Sequence, residues 1–350
     1  MADKSTGRAF IGSFTSAGGR GIVAVTVDPE TGALTETGFC DAVADPSYLA
    51  LAATETRGTV LYAVSETSEG AVAAFDIRGA APRPIGGRVP VCGAGPTHLA
   101  VSAGHLLTAN YGSGSVSVLP LESGGEPASA SGILQHEGTG PDPDRQQSPH
   151  AHQVLPDPGG RWVLGVDLGT DSVLVYALDT GAGELTRHGE TALRPGTGPR
   201  HLAFHPAGRH AYVLNELEPT LTVCRWDAEK GLLEPLSEIP VLPEGTEGPS
   251  YPSEVVVSRD GRHLWAANRG HDSISVLALD ASGERAELVT TVPCGGHWPR
   301  DLTLDPAGRR LYAANERSGD VTWFDIDPGT GVPRRAGSLA APAASCVIFA

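Results

Sequence analysis

"PRHLAFHPAGRHAYVLNEL", residues 199–217, and "PRDLTLDPAGRRLYAANER", residues 299–317, are one phrase written twice. A proline opens a short apolar run, a Gly-Arg turn reverses it, and a second apolar run ends on Asn-Glu. The phrase recurs more loosely as PSYLALAATETRGTVLYAVSE from Pro46, PTHLAVSAGHLLTANYG from Pro96, HAHQVLPDPGGRWVLGVDL from His150 and PSEVVVSRDGRHLWAANRG from Pro252. Each copy is followed by a third strand-like run: AVAAFDI, SVSVLPL, SVLVYAL, TLTVCRW, SISVLAL and DVTWFDI. The anchoring residues Pro46, Pro96, Pro149, Pro199, Pro252 and Pro299 give a period of roughly fifty residues, which suits a four-stranded propeller blade. A parallel sheet needs a helical crossover in every period, and no amphipathic helix is written in any of them.

The chain ends complete the count. AFIGSFTS, GIVAVTV and ALTETGF match strands two to four of a blade that lacks its first, and PAASCVIFA from Pro342 matches strand one alone. The prediction is an all-β, seven-bladed β-propeller whose last blade is closed by N-terminal strands plus the C-terminal strand, which removes a free sheet edge. It is predicted as one domain over residues 1–350, with 1–7 as a disordered tail and 121–148 as a long, flexible rim loop carrying a strand at ILQHEG.

The bulk numbers agree. The 350 residues are 40% hydrophobic and 19% charged, with 45 Gly and 28 Pro, a globular and turn-rich composition. A net charge of −16 without any basic cluster argues against a nucleic-acid partner, whose phosphates demand a basic surface. Lys4 and Lys230 are the only lysines, which reads as coding bias. Five well-separated cysteines, never in CxxC, fit reduced thiols. The start MADKSTGRAFIGSF lacks a signal-peptide core, and no apolar run reaches the roughly 18 residues of a membrane span. The expectation is a soluble, cytoplasmic protein, monomeric or dimeric, without a membrane partner.

In a propeller, equivalent positions form rings about one axis, because strand one lines the central channel and the turn after strand two opens on the same funnel. The mouth of strand one reads Ser47, Thr97, His152, Arg200, Ser253 and Arg300. The end of strand two reads Phe14, Glu66, Tyr111, Leu168, Glu216, Arg269 and Glu316. One position deeper in strand one stand Tyr48, His98, Gln153, His201, Glu254 and Asp301. Polar groups converging on a concavity mark a small-molecule site. Arginine forks recognise carboxylate or phosphate, and a nearby histidine or glutamate can move a proton. The set suits a small anionic substrate undergoing water addition or proton transfer at a carbonyl.

His150 and His152, spaced i, i+2, would share one strand face and could ligate a metal. No third ligand appears at a defined spacing, so no metal is expected. Gly112-Ser113-Gly114 reads as a hairpin turn, His98 and His201 as hydrogen-bonded lining residues, and His105, His188, His205, His210 and His263 as surface positions.

At these residues the chain resembles the propeller-type lactonases, which include the bacterial 6-phosphogluconolactonases of seven-bladed fold and the fungal carboxy-cis,cis-muconate cyclases. The resemblance runs through FIGSFTS, ANYGSGSVSV (109–118), SPHAHQ (148–153), GPRHLAFHP (198–206), LNEL (214–217), AANRGHDSISV (266–276) and WPRDLTLDPAGRRLYAAN (298–315). It implies an active-site set of the SPHAH histidine, the PRH arginine, the NE glutamate and the NRG arginine. Here these are His152, Arg200, Glu216 and Arg269. SFTS stands where the family often has TYT, and Ser65-Glu66 where Asn-Glu is common; both lie outside the four matched positions. The resemblance implies cofactor-free hydrolysis of a sugar-acid lactone, foremost 6-phosphogluconolactone to 6-phosphogluconate in the pentose phosphate pathway. Arg200 and Arg269 would hold the anion and the oxyanion, and Glu216 or His152 would act as general base. Arg300, Glu316, His150, Tyr111, Glu66 and His201 would contact substrate. A carboxymuconate-type, lactone-forming cycloisomerase and a non-catalytic binding propeller are the alternatives.

Overall fold

The computed structural model describes residues 7–350. These form seven four-stranded sheets, each antiparallel throughout, and we number the blades 1 to 7 from the one that holds the N-terminal strands. Blade 1 orders its strands Ala344–Phe349, Gly7–Ser13, Ile22–Val27 and Leu34–Cys40. The C-terminal strand thus supplies its innermost position, with Phe10 paired to Ile348 and Ile11 to Val347. Blades 2 to 7 follow in chain order, opening at Leu49, Pro96, Ala151, Pro199, Tyr251 and Pro299. The seven-bladed closure predicted from the repeats is the fold.

The strand patterns follow from position. Middle strands are covered on both faces by neighbouring blades and read as continuous apolar runs, such as the buried Val72-Ala73-Ala74-Phe75. Outer strands face solvent on one side and alternate, as in Glu184–Ala192. The core is divided among the blade interfaces. Trp162, Leu164 and Val166 of blade 4 meet Leu202, Val213 and Trp226 of blade 5. Tyr312, Val321 and Trp323 of blade 7 meet Ile11, Val23 and Val347 of blade 1, sealing the ring.

The Gly-Arg turn between strands one and two places Gly160, Gly208, Gly261 and Gly308 at φ of 67–70°, a left-handed conformation that favours glycine. The residue three before it accepts backbone N–H groups: Asp157 Oδ1 from Arg161 and Trp162, both at 2.8 Å, and Ser258 Oγ from Arg262 and His263. In blade 5 that position is His205, whose Nδ1 lies 3.1 Å from the Ala207 N–H and whose Nε2 reaches Gly261 O of blade 6. His205 is therefore buried, contrary to its reading as a surface residue. His105, His210 and His263 are buried as well. Each opens a second strand and packs beside the outer hairpin glycine of the next blade, at Gly183, Gly283 and Gly331. His188 alone of the five is exposed.

Residues 121–148 carry a Leu121–Pro127 bridge and a strand at Gly132–Gln135, shorter than the predicted ILQHEG. The strand stops because His136 turns inward, its Nδ1 2.6 Å from Asp167 Oδ2 and its Nε2 2.6 Å from Tyr176 OH. The fully buried Gln146 donates to Leu168 O. Of the predicted tail 1–7, Gly7 begins the first strand, and residues 1–6 lie outside the described residues. Among the described residues no helix is long and apolar enough to cross a membrane.

Candidate active site

A backbone irregularity recurs where strand one meets the funnel. In blade 5 Pro199 pairs with Asn215 but His201 pairs with Leu214, leaving Arg200 as an extra residue. The same bulge leaves Thr97, His152 and Arg300 unpaired in blades 3, 4 and 7. Bulges re-aim side chains and gather at active sites. On a regular strand, Arg200 and His201 would face opposite sides. Here both face the channel, Arg200 towards Glu216 and His201 towards Glu254. The bulge also breaks the i, i+2 relation of His150 and His152. His150 stacks on Tyr111 at 4.4 Å, with its Nδ1 on Tyr111 O, whereas His152 meets Tyr111 edge-on.

The segments entering these strands are clamped by the preceding blade. Asp171 accepts Gly196 N and Gly198 N at 2.7 Å each ahead of Arg200, and Asp272 accepts Trp298 N at 2.7 Å ahead of Arg300. At the end of strand two, buried amides tie down the backbone just before the ring residue. Asn215 Nδ2 donates to Thr220 and Thr222, and Asn268 Nδ2 to Ser273 and Ser275.

Glu216 stands at the centre of the site. Its Oε2 lies 3.2 Å from Arg200 Nε and 2.7 Å from Arg269 Nη2, and its Oε1 accepts from Arg145 Nη2 at 2.7 Å. Burial alone would raise its carboxyl, but Arg269, Arg200 and Arg145 outweigh that and bring it down to about 2. Glu216 is thus an ionised anchor for guanidiniums and a poor base at neutral pH. Arg200 Nε and Arg269 Nη2 meet it as buried ion pairs. Burial and the charges of Arg269 and Arg300 lower Arg200 to about 9.

The neighbouring arc holds Arg300, 3.6 Å from Glu66 and 3.4 Å from Glu316, with its guanidinium 4.8 Å from the Phe14 ring centre. Burial pushes the Glu66 carboxyl up, against Arg300 and the hydroxyl of Ser47, which donates to it. Four guanidiniums therefore surround three carboxylates in a chain of net charge −16. His152 is buried with its Nδ1 unpartnered. Burial, then the Arg200 charge, holds it well below the usual imidazole range, so it is neutral at pH 7.

The structure brings His152, Arg200, Glu216 and Arg269 together, with Arg300, Glu316 and Glu66 on one flank and Tyr111 and His150 on the other. Arg145, absent from the candidate set, completes the cluster and also donates to Tyr111 OH. It belongs to the rim loop, which has no counterpart in the other blades, so stacking the repeats could not reveal it. Among the described residues no group of three or more His, Cys, Asp or Glu side chains is placed to hold a metal ion. A groove of about 640 Å³ lies elsewhere, between blades 5 and 6 and lined by His205, Arg225, Trp226 and Glu284.

Comparison with known proteins identifies the family. The family described as "Lactonase, 7-bladed beta-propeller" matches residues 8–349. The chain is 34% identical to the 6-phosphogluconolactonase of Bacillus subtilis over 92% of either protein. Among solved structures it superposes on the periplasmic gluconolactonase PpgL of Pseudomonas aeruginosa with a TM-score of 0.91 at 27% identity, covering 99% of both chains. A Lactobacillus plantarum protein matches with a TM-score of 0.92 at 29% identity, again over 99% of both. With this fold over its whole described length, the chain belongs to the seven-bladed β-propeller lactonase family and is an enzyme that hydrolyses lactones.

Proposed function

We propose that the enzyme opens 6-phosphogluconolactone to 6-phosphogluconate, serving the pentose phosphate pathway. The observation that carries this reading is the gathering of four guanidiniums at the funnel of a strongly acidic protein. Such a site selects an anion, and arginine suits phosphate and carboxylate oxygens. The name of the Bacillus subtilis relative supports the same substrate.

In this reading Arg145 and Arg300, the more accessible guanidiniums, take the phosphate, and Arg200 and Arg269 face the lactone carbonyl. Their donors stabilise the oxyanion that forms when water adds, a contribution of about 3 kcal/mol per well-placed donor. Neutral His152 removes the proton from the attacking water, and its conjugate acid protonates the departing ring oxygen. Glu216 orients Arg145, Arg200 and Arg269. Tyr111, His150, Glu66 and Glu316 shape the walls. Bound phosphate offsets the arginine charge that depresses His152, so substrate raises the basicity of the group that acts on it. We place the enzyme in the cytoplasm, a reading supported by five free cysteines; PpgL is described as periplasmic.

The test is hydrolysis of 6-phosphogluconolactone beside unphosphorylated δ-gluconolactone and carboxymuconolactone. The expected result is a kcat/KM preference of about 100-fold or more for the phosphorylated lactone, the scale of one lost charged contact. Equal rates on both gluconolactones would contradict the phosphate assignment.

A further inference from the structure

Below Arg200 the channel is floored by three groups that the lactone chemistry leaves unused. His201 Nδ1 lies 2.7 Å from Glu254 Oε2, and Glu254 stands beside Asp301, with which it lines the same two cavities. Glu254 Oε1 accepts from Val255 N at 3.0 Å, and Asp301 Oδ2 accepts from Val347 N at 2.8 Å. All three residues are buried.

Two buried carboxyls side by side cannot both ionise without strong repulsion, so the pair holds one proton between them. Burial and mutual repulsion push both upwards, which keeps that proton in place at neutral pH. With Glu254 accepting from Nδ1–H, the His201 Nε2 carries the lone pair. That atom is buried and unpartnered, as is His152 Nδ1, and the two rings are 5.1 Å apart. The charged and titratable groups facing His201, besides Glu254, are Tyr48, His98, His152, Arg200, Arg269, Arg300 and Glu216. Those facing the carboxyl pair are Arg200, Tyr48 and Cys346.

Tyr48, Glu254 and Asp301 line two cavities at once. One contains Arg200 and Arg300; the other, about 170 Å³, is bounded by Thr303 and Ile348, farther along their strands from the funnel. The carboxyl pair thus separates a void of about 10 Å³ beside Arg200 and Arg300 from the cavity towards the opposite end of the channel.

Lactone opening leaves a proton behind. Water adds to the carbonyl carbon as His152 takes its proton, the ring C–O bond breaks as His152 returns that proton to the alkoxide, and the new carboxylic acid ionises by passing its own proton to His152. The upward route passes a ring of guanidiniums and the bound substrate, whereas the floor attracts a cation. We propose that His201, Glu254 and Asp301 form a proton relay that carries this proton from His152 to the far end of the channel. His201 Nε2 receives it as Nδ1 passes one to Glu254; Asp301 releases its own to water below and is reprotonated by Glu254. The relay rests on the proposed role of His152 in lactone opening.

Asp301→Asn and Glu254→Gln keep an oxygen for the backbone N–H and remove the shared acid. Both are assayed on whichever of 6-phosphogluconolactone and δ-gluconolactone the wild type opens. The expected result is a kcat lower by about 10- to 100-fold, with KM within about twofold, restored by high concentrations of imidazole as a diffusible proton carrier. Infrared spectroscopy of the wild type at neutral pH should show a protonated-carboxyl band that Asp301→Asn lacks. Unchanged kcat in both variants, a loss that imidazole cannot restore in folded protein, or absence of the band in the wild type would overturn the relay while lactone hydrolysis stands. A wild type inert towards both lactones would instead overturn the substrate reading, and the relay with it.

Discussion

Blades 3 and 5 share a frame almost bond for bond. In both, a proline opens strand one opposite an asparagine, Pro96 to Asn110 and Pro199 to Asn215, and one extra residue follows in a bulge. In both, the asparagine Nδ2 donates to two hydroxyls on strand three, Ser115 and Ser117 in one and Thr220 and Thr222 in the other. The aimed side chains differ completely. Blade 3 points Thr97 and Tyr111 where blade 5 points Arg200 and Glu216. Backbone, turn glycines and buried amides hold the position, so the side chain placed there is free to serve chemistry. Burying these charges costs desolvation that their pairing only partly offsets.

The strongest way to break this comparison is to make blade 5 resemble blade 3. Arg200→Thr should lower kcat/KM by about 1,000-fold, the upper range for an oxyanion donor, while a thermal melt shifts by only a few degrees. A melt collapsing in step with activity would mean that the arginine is part of the frame. Next, His152→Asn should cost about 100-fold in kcat. Because burial and Arg200 depress His152, the acid limb of the wild-type kcat/KM profile should lie well below pH 6.5 and vanish in the variant.

Glu216→Gln should cost about tenfold, since its role is to orient the guanidiniums. It also carries a stability signature. The Glu216 carboxyl, ordinarily near 4.5, is lowered to about 2. Its contribution is present above pH 4.5 and is lost as pH falls towards 2. Acid titration followed by circular dichroism should therefore show a shallower stability loss across that window in Glu216→Gln than in the wild type. Smallest is Arg145→Ala, which removes a partly exposed contact. It should raise KM about threefold, an effect that fades with added salt.

The repeat made the fold legible because each blade must cover its neighbour with the same apolar pattern, and the candidate residues His152, Arg200, Arg300, Glu66, Tyr111, Glu216, Arg269 and Glu316 were legible as departures from that pattern. What the repeat lacks could not be read from it. Arg145 arrives on a loop unique to blade 3, and the bulge that turns both Arg200 and His201 to the channel leaves no mark in residue type. His105, His205, His210 and His263 looked like polar surface because their burial depends on the outer hairpin or turn of the next blade, a contact invisible along the chain. The ring holding His201, Glu254 and Asp301 was visible, but the pairing of its two carboxyls emerges only when neighbouring blades stand side by side.

The most direct test of the account is a crystal structure with 6-phosphogluconate bound. The account predicts the product in the funnel, its carboxylate within hydrogen-bond reach of Arg200 and Arg269 and beside His152, and its phosphate at Arg300 and Arg145. Product seated instead in the groove between blades 5 and 6, among Arg225, Trp226 and Glu284, with the funnel unaltered, would contradict it.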